Sequence, residues 1–425
     1  MDLLADARAV VENGPVCDAC LGRVFAARSH GLTNPERGRA LRTTLALADD
    51  DPHDPVDADE CWVCAGHSGR YDEFARRAVD AVDAEFDTYQ VGSRVPPLVA
   101  ENERLLREDA GLDPDRGEPF GSDLNREVGK RVGRATDTEV DFERPDVQFL
   151  VDVPADEVTA TVNSAFVYGR YRKRERGIPQ TRWPCGECDG TGRTGSGSCS
   201  VCDGTGLRYQ ESVEQLIAPV VEEVMDGVDA LFHGAGREDV DARMLGTGRP
   251  FVVEVKEPRR RTVDLDRLAA DVNAFAEGRV EVEGLRLATH GMVERVKTLD
   301  ASKTYRAEVA FGDAVDPDDL DAALADLRGT TVEQYTPRRV DHRRAGITRQ
   351  RTVYDADGTL DDPRHATVEI HGEGGLYVKE LVSGDEGRTE PSLAGRLGVE
   401  ARVTALDVLA VEGEEAAFED EDYFR

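Results

Sequence analysis

The chain has 425 residues, 86 acidic against 53 basic side chains, and a formal charge of -33. That length exceeds one ordinary compact domain and points to two units with separate cores. No run approaches the roughly 18 apolar residues of a membrane-spanning helix, and the start Met1-Asp2 lacks a secretion signal's basic opening, so a cytoplasmic protein with no membrane partner is expected.

The acid excess argues at first against any polyanionic partner. Yet the basic residues are mostly arginine, with lysine at isolated positions such as Lys173, Lys303 and Lys379. Such a surface suits concentrated salt, which screens its self-repulsion, so the charge reports the solvent more than the partner.

All eight cysteines fall in Cys-x-x-Cys pairs: Cys17/Cys20, Cys61/Cys64, Cys185/Cys188 and Cys199/Cys202. Without an oxidising compartment, two thiolate pairs per tetrahedral ion explain this better than disulfides, and two structural zinc sites are expected. The acidic loop from Asp49 to Glu60 separates the first two pairs. From Tyr71 a helix is expected, with Phe74, Ala78, Val79, Val82 and Phe86 recurring on one face and a strand at its end. Asn125 to Val132 reads as helix, and Val147 to Val153 and Asp156 to Asn163 as strands. The segment GRYRKRERGIPQTRW from Gly169 interleaves Arg170, Arg172, Lys173, Arg174, Arg176 and Arg182 with Tyr168, Tyr171 and Trp183, a pattern that suits RNA. Two Cys-x-x-Cys-x-Gly-x-Gly units follow within 183–208, a zinc-ribbon-like insertion. Similar units occur in DnaJ-type chaperones, but no His-Pro-Asp hairpin accompanies them here.

Ser212 to Gly227 is expected as a helix with a Ser212-x-x-Gln215 capping box and Pro219 as a kink. Further on, Pro250 to Val255, Val280 to Leu285, Tyr305 to Phe311, Val368 to Ile370 and Val403 to Val411 read as strands, with helices at Val263 to Phe275 and Asp319 to Leu327. The last fourteen residues, EGEEAAFEDEDYFR, read as a solvated tail. The pattern predicts an α+β fold with a mixed or antiparallel sheet, divided at 1–165 and 166–425. His233, beside Gly234, has no evident partner in the sequence and is read as structural.

Gly236-Arg237-Glu238-Asp239 matches the Gly-Arg-x-Asp signature of the pseudouridine synthases. Together with the segments at Gly169, KTYRAEV at Lys303, YTPRRVDHRR at Tyr335 and GLYVKELVSGDEGRTEPSL at Gly375, it makes the chain resemble the THUMP-containing tRNA pseudouridine synthases of archaea and eukaryotes, here of a halophile. The resemblance implies a pseudouridine synthase core behind an N-terminal zinc-bearing, THUMP-like RNA-binding domain. It implies isomerisation of uridine 54, uridine 55 or both in the TΨC arm of tRNA, with Asp239 as nucleophile. No catalytic cofactor and no nucleotide cofactor are implied; zinc is structural. Tyr305 would pack on the flipped uracil and Tyr377 would sit beside it, both read at strand positions. Lys379 would pair with Asp239, and Arg237 would enter the space the nucleotide leaves. Arg338, Arg339, His342, Arg343 and Arg344 form an expected backbone-contact patch. A monomer is expected.

Overall fold

Contacts divide the chain into two units, Met1–Asn163 and Ser164–Arg425. In the computed structural model every residue is described except Met1, Ser196 and residues 339–345.

The first unit runs α1 (Leu3–Glu12), α2 (Asp18–Val24), α3 (Asn34–Asp49), α4 (Tyr71–Asp80), β1 (Thr88–Arg94), α5 (Pro97–Asp109), α6 (Phe120–Thr136), β2 (Glu139–Val140), β3 (Val147–Asp152) and β4 (Glu157–Val162). Its strands form one sheet in the order β2-β1-β3-β4, parallel on both sides of β1 and antiparallel between β3 and β4. Phe120, Leu124, Val128 and Val132 recur every four residues along α6, so one stripe of that helix is buried. Helix α4 stops at Asp80, sooner than expected; Phe86 lies beyond it and meets Tyr89 and Phe149 edge-on. Helix α3 opens with a Thr33/Glu36 capping box that satisfies two otherwise orphaned amides.

The second unit continues with β5 (Ala165–Lys173), β6 (Arg193–Thr194), β7 (Gly197–Ser198), α7 (Val213–Met225), β8 (Asp229–Gly234), β9 (Arg243–Lys256), α8 (Leu265–Ala276), β10 (Val280–Ala288), α9 (His290–Thr298) and β11 (Ala301–Phe311). It closes with α10 (Pro317–Leu327), β12 (Thr331–Tyr335), β13 (Thr348–Asp362), β14 (His365–Gly372), α11 (Val378–Ser383), β15 (Thr389–Glu390), α12 (Leu393–Leu397) and β16 (Ala401–Gly413). Among the described residues a ten-stranded sheet runs β10-β5-β9-β16-β11-β14-β13-β12-β15, with β8 beside β9. Only the β16–β9 contact is parallel, so the sheet is mixed and the fold is α+β as expected. Ser212 caps α7 by accepting from the Gln215 amide, and Leu216, Ile217, Val221 and Met225 are buried beneath it.

Leu409 sits between paired residues in both of its neighbours' registers: Val408 and Ala410 pair with Tyr305 and Thr304 on one side, and with Met244 and Gly248 on the other. Gly246 makes this bulge possible, because its φ is +52° and a Cβ there would lie 2.1 Å from the Leu409 carbonyl oxygen. Beyond the bulge, pairing puts Tyr305, Val408, Met244 and Lys173 in one cross-strand row and therefore on one face.

The C-terminal segment is not a solvated tail. Phe418 is fully buried, Phe424 meets Tyr168 edge-on and bridges to Ala288, and the Arg425 amide donates to the Leu287 carbonyl. Its aromatics supply apolar area that outweighs the acidic residues between them, which remain outside or pair with arginines.

Candidate active site

Between β8 and β9 the chain crosses the sheet face in a loop whose form depends on Glu238. This carboxylate is buried, and its Oε2 accepts from Arg249 Nε and the Tyr171 hydroxyl at 2.9 Å each. Lys173 Nζ stands 3.5 Å from Oε1. Arg249 also donates to the Ala235 carbonyl at 2.8 Å, and Lys173 to those of Ile178 at 2.7 Å and Asp239 at 3.3 Å. Gln180 joins the Tyr171 hydroxyl to the Gly236 carbonyl. Gly236, with φ of +68°, allows the turn that carries the next residues back outward. Burial opposes the Arg249 charge, and Glu238 and Tyr171 more than offset that, holding its guanidinium protonated. Burial likewise pushes the Tyr171 phenol well up, keeping it a donor.

One residue after buried Glu238, Asp239 is exposed. Lys379 Nζ lies 3.5 Å from Asp239 Oδ2 and 3.2 Å from Asp241 Oδ2, so one ammonium is shared by two carboxylates. The expected Asp239–Lys379 pairing is thus present as geometry, with Asp241 as an added partner. Lys379 is the second residue of α11. Tyr377 is not at a strand position: it caps that helix, its amide donating to Gln334 Oε1 at 2.9 Å while Gln334 Nε2 donates to its carbonyl at 3.0 Å. Gln334 is fully buried on β12, so the turn ahead of Lys379 is fixed to the sheet. Tyr305 is half-buried in the row that ends at Lys173, and the Arg249 charge acts on its phenol. Arg237 is exposed beside Gly236, without a hydrogen bond or ion pair to the described residues.

The basic segment from Gly169 differs from its expected role. Tyr168, Tyr171 and Lys173 are buried, while Arg170 pairs with Glu419, Arg172 with Glu281 and Glu283, Arg174 with Glu281 and Arg176 with Asp407. Strand alternation puts Tyr171 and Lys173 on the face of Glu238, whereas Tyr168 and Arg170 share the other face, where both meet Glu419. His233 does have a partner, Glu254 at 3.0 Å. Arg338 pairs with Glu386 across exposed surface; Arg339, His342, Arg343 and Arg344 lie outside the described residues.

Both cysteine quartets converge. Cys17, Cys20, Cys61 and Cys64 are buried in the first unit, and Cys185, Cys188, Cys199 and Cys202 in the second, with all sulfurs of a quartet within 4.8 Å of one another. Sulfurs stand 3.8 Å apart for Cys17/Cys64 and Cys188/Cys202, and 3.5 Å for Cys61/Cys20. A tetrahedral ion with bonds of about 2.3 Å needs ligand sulfurs about 3.8 Å apart, so both quartets fit zinc. Arg23 Nη2 donates to Cys20 Sγ at 2.9 Å, and the Gly192 and Gly206 amides donate to Cys188 and Cys202 sulfurs. These donors suit thiolates. No helix among the described residues is long and apolar enough to cross a membrane.

Residues 166–412 match the family model "Pus10, C-terminal", and residues 74–152 match "Pus10 THUMP domain, archaeal". The chain is 68% identical to the tRNA pseudouridine synthase Pus10 of Halorubrum lacusprofundi over 100% of both chains. It is 42% identical to the like-named protein of Methanothrix thermoacetophila, over 97% of this chain and 95% of that one. With the Pyrococcus furiosus protein of that name it shares 38% identity over 96% and 98%.

Changing Glu238→Gln leaves Arg249 and Lys173 buried without a counter-charge. We expect it to lower the unfolding free energy by about 3–5 kcal/mol, read as a shifted urea midpoint. A change under about 1 kcal/mol would mean the carboxylate does not hold the loop.

Proposed function

The chain belongs to the Pus10 family of tRNA pseudouridine synthases, and on that premise we propose that it isomerises uridine 54, uridine 55 or both in the TΨC arm of tRNA, with Asp239 as the nucleophile. The observation that carries this reading is the Lys379 ammonium 3.5 Å from the Asp239 carboxylate, at the end of a loop clamped to the face that bears Tyr305.

Pseudouridine formation breaks the C1′–N1 bond, turns the uracil and rejoins it through C5. Nothing is added to the product, so no oxidant, reductant or nucleotide cofactor enters. Asp239 attacks the nucleoside, and Lys379 orients its carboxylate. A single lysine charge shared with Asp241 orients less rigidly than a bidentate arginine would. The target base leaves the stack, which costs a few kcal/mol; stacking on Tyr305 and contact with Tyr377 offset that cost, and Arg237 fills the vacated space. The Tyr305 phenol also serves in proton transfer.

The region matching the THUMP model serves as a tRNA-binding element of a cytoplasmic monomer. Each quartet holds one structural zinc ion; its four positions are filled by protein thiolates, leaving none for substrate.

With an unmodified tRNA transcript in concentrated salt, the wild-type protein is expected to yield pseudouridine at position 54, 55 or both, and Asp239→Ala to yield none while still binding tRNA. Equal product from both proteins would remove Asp239 from the reaction. Metal analysis of the purified chain is expected to find two zinc ions, falling to one when Cys185 and Cys188 are changed to Ser; one ion in the wild type would empty one quartet of its assigned role.

A further inference from the structure

Lys303 precedes Tyr305 by two residues on β11, so both side chains leave the strand on the same face. Lys303 pairs with Val411, whose neighbour Ala410 pairs with Gly248, the neighbour of Arg249; Arg249 pairs with Tyr171. This second row lies beside the one containing Tyr305 and Lys173, on the face where the Asp239 loop is clamped.

In a chain with such an acid excess, Lys303 is half-buried with no carboxylate at ion-pair distance among the described residues. Its Nζ donates to the Ala301 carbonyl at 3.3 Å, a weak tether. The charged groups that act on it are Arg249 from β9, already paired with Glu238, and Glu414 just past β16; its cross-strand partners Gly372 and Val411 carry none. Burial, reinforced by Arg249 and opposed by Glu414, brings the ammonium down to about 8. A half-buried cation with no carboxylate at ion-pair distance is disposed to take an anion.

We propose that Lys303 binds the phosphodiester of the nucleotide whose base meets Tyr305. The inference rests on the assignment of Tyr305 to the flipped uracil. Two residues of strand span about 7 Å, comparable to the reach from a base across its sugar to its phosphate. A compact, mobile ammonium suits a phosphate oxygen, and the neighbouring Arg249 adds to the positive potential there.

The test pairs protein and substrate changes in the full chain. Lys303→Met is expected to raise the KM for tRNA about tenfold with kcat little changed, on the order of one charge-assisted contact. A transcript with a neutral methylphosphonate at a phosphate flanking the target uridine should weaken wild-type binding by a similar factor, yet have little further effect on Lys303→Met. The wild-type KM should rise as pH passes upward through about 8, where the free ammonium loses its proton; Lys303→Arg, charged throughout, should flatten that profile. A fall in kcat at unchanged KM, or equal methylphosphonate effects in wild type and Lys303→Met, would overturn the proposal. The substrate arm needs only wild-type protein, so a poorly folding variant does not remove the test: binding unaffected by methylphosphonate at either flanking phosphate would itself be contrary. Product formation by Asp239→Ala would instead defeat the underlying site assignment.

Discussion

A single buried carboxylate organises the second unit's working face. Taking Glu238, Arg249 and Lys173 out of water costs several kcal/mol per ion, and only near-complete mutual pairing makes the arrangement tolerable. Here Arg249 and Tyr171 share one oxygen of Glu238 while Lys173 stands 3.5 Å from the other, and Arg249 and Lys173 also donate to the Ala235 and Asp239 carbonyls of the loop. The loop between β8 and β9 is therefore bound to β5 and β9 by charge as well as by chain connectivity. Successive residues divide the work: Glu238 points in and fixes the loop, and Asp239 lies outside, where a substrate can reach it. Concentrated salt, which screens exposed pairs, has little access to this buried set.

The same reasoning separates the arginines by role. Arg170 and Arg172 of β5, with Arg174 and Arg176 just beyond it, meet carboxylates from β10, β16 and the C-terminal segment. Their service is to neutralise an acid-rich surface along one strand. Arg237 at the loop and Lys303 beside Tyr305 have no carboxylate at ion-pair distance among the described residues, and both lie on or beside the loop face. Asp241 draws Lys379 toward a second carboxylate, so the free site holds a lysine poised between two anions.

Much of the second unit was legible because its elements obey simple periodicities. Ser212 and Gln215 announced α7, and alternation marked β11 and the end of β9. The Cys-x-x-Cys pairs told which sulfurs would converge. Helices α1 to α3 and strand β13 left weaker traces: α3 buries only scattered apolar residues among charged ones, and β13 is largely polar and exposed along its length. The C-terminal aromatics were masked by the acids around them. Tyr377 was misread because its geometry is set by Gln334, over forty residues distant, rather than by local pattern. Glu238 occupied the variable position of a motif and so carried no signal of its own; only its burial reveals its role. Lys173 was read only as one more cation of a basic segment, and its burial against Glu238 emerges from the fold alone.

If Asp239 acts from a position set by this buried network, loosening the network without removing its charge should affect chemistry more than binding. The direct test is the single-turnover rate and tRNA affinity of Arg249→Lys, which keeps the positive charge but cannot hold Glu238 and the Ala235 carbonyl together. The account predicts a folded protein that binds tRNA as the wild type does and reacts about a hundredfold more slowly, the effect of a small misplacement of the reacting group. A wild-type rate from Arg249→Lys would contradict it.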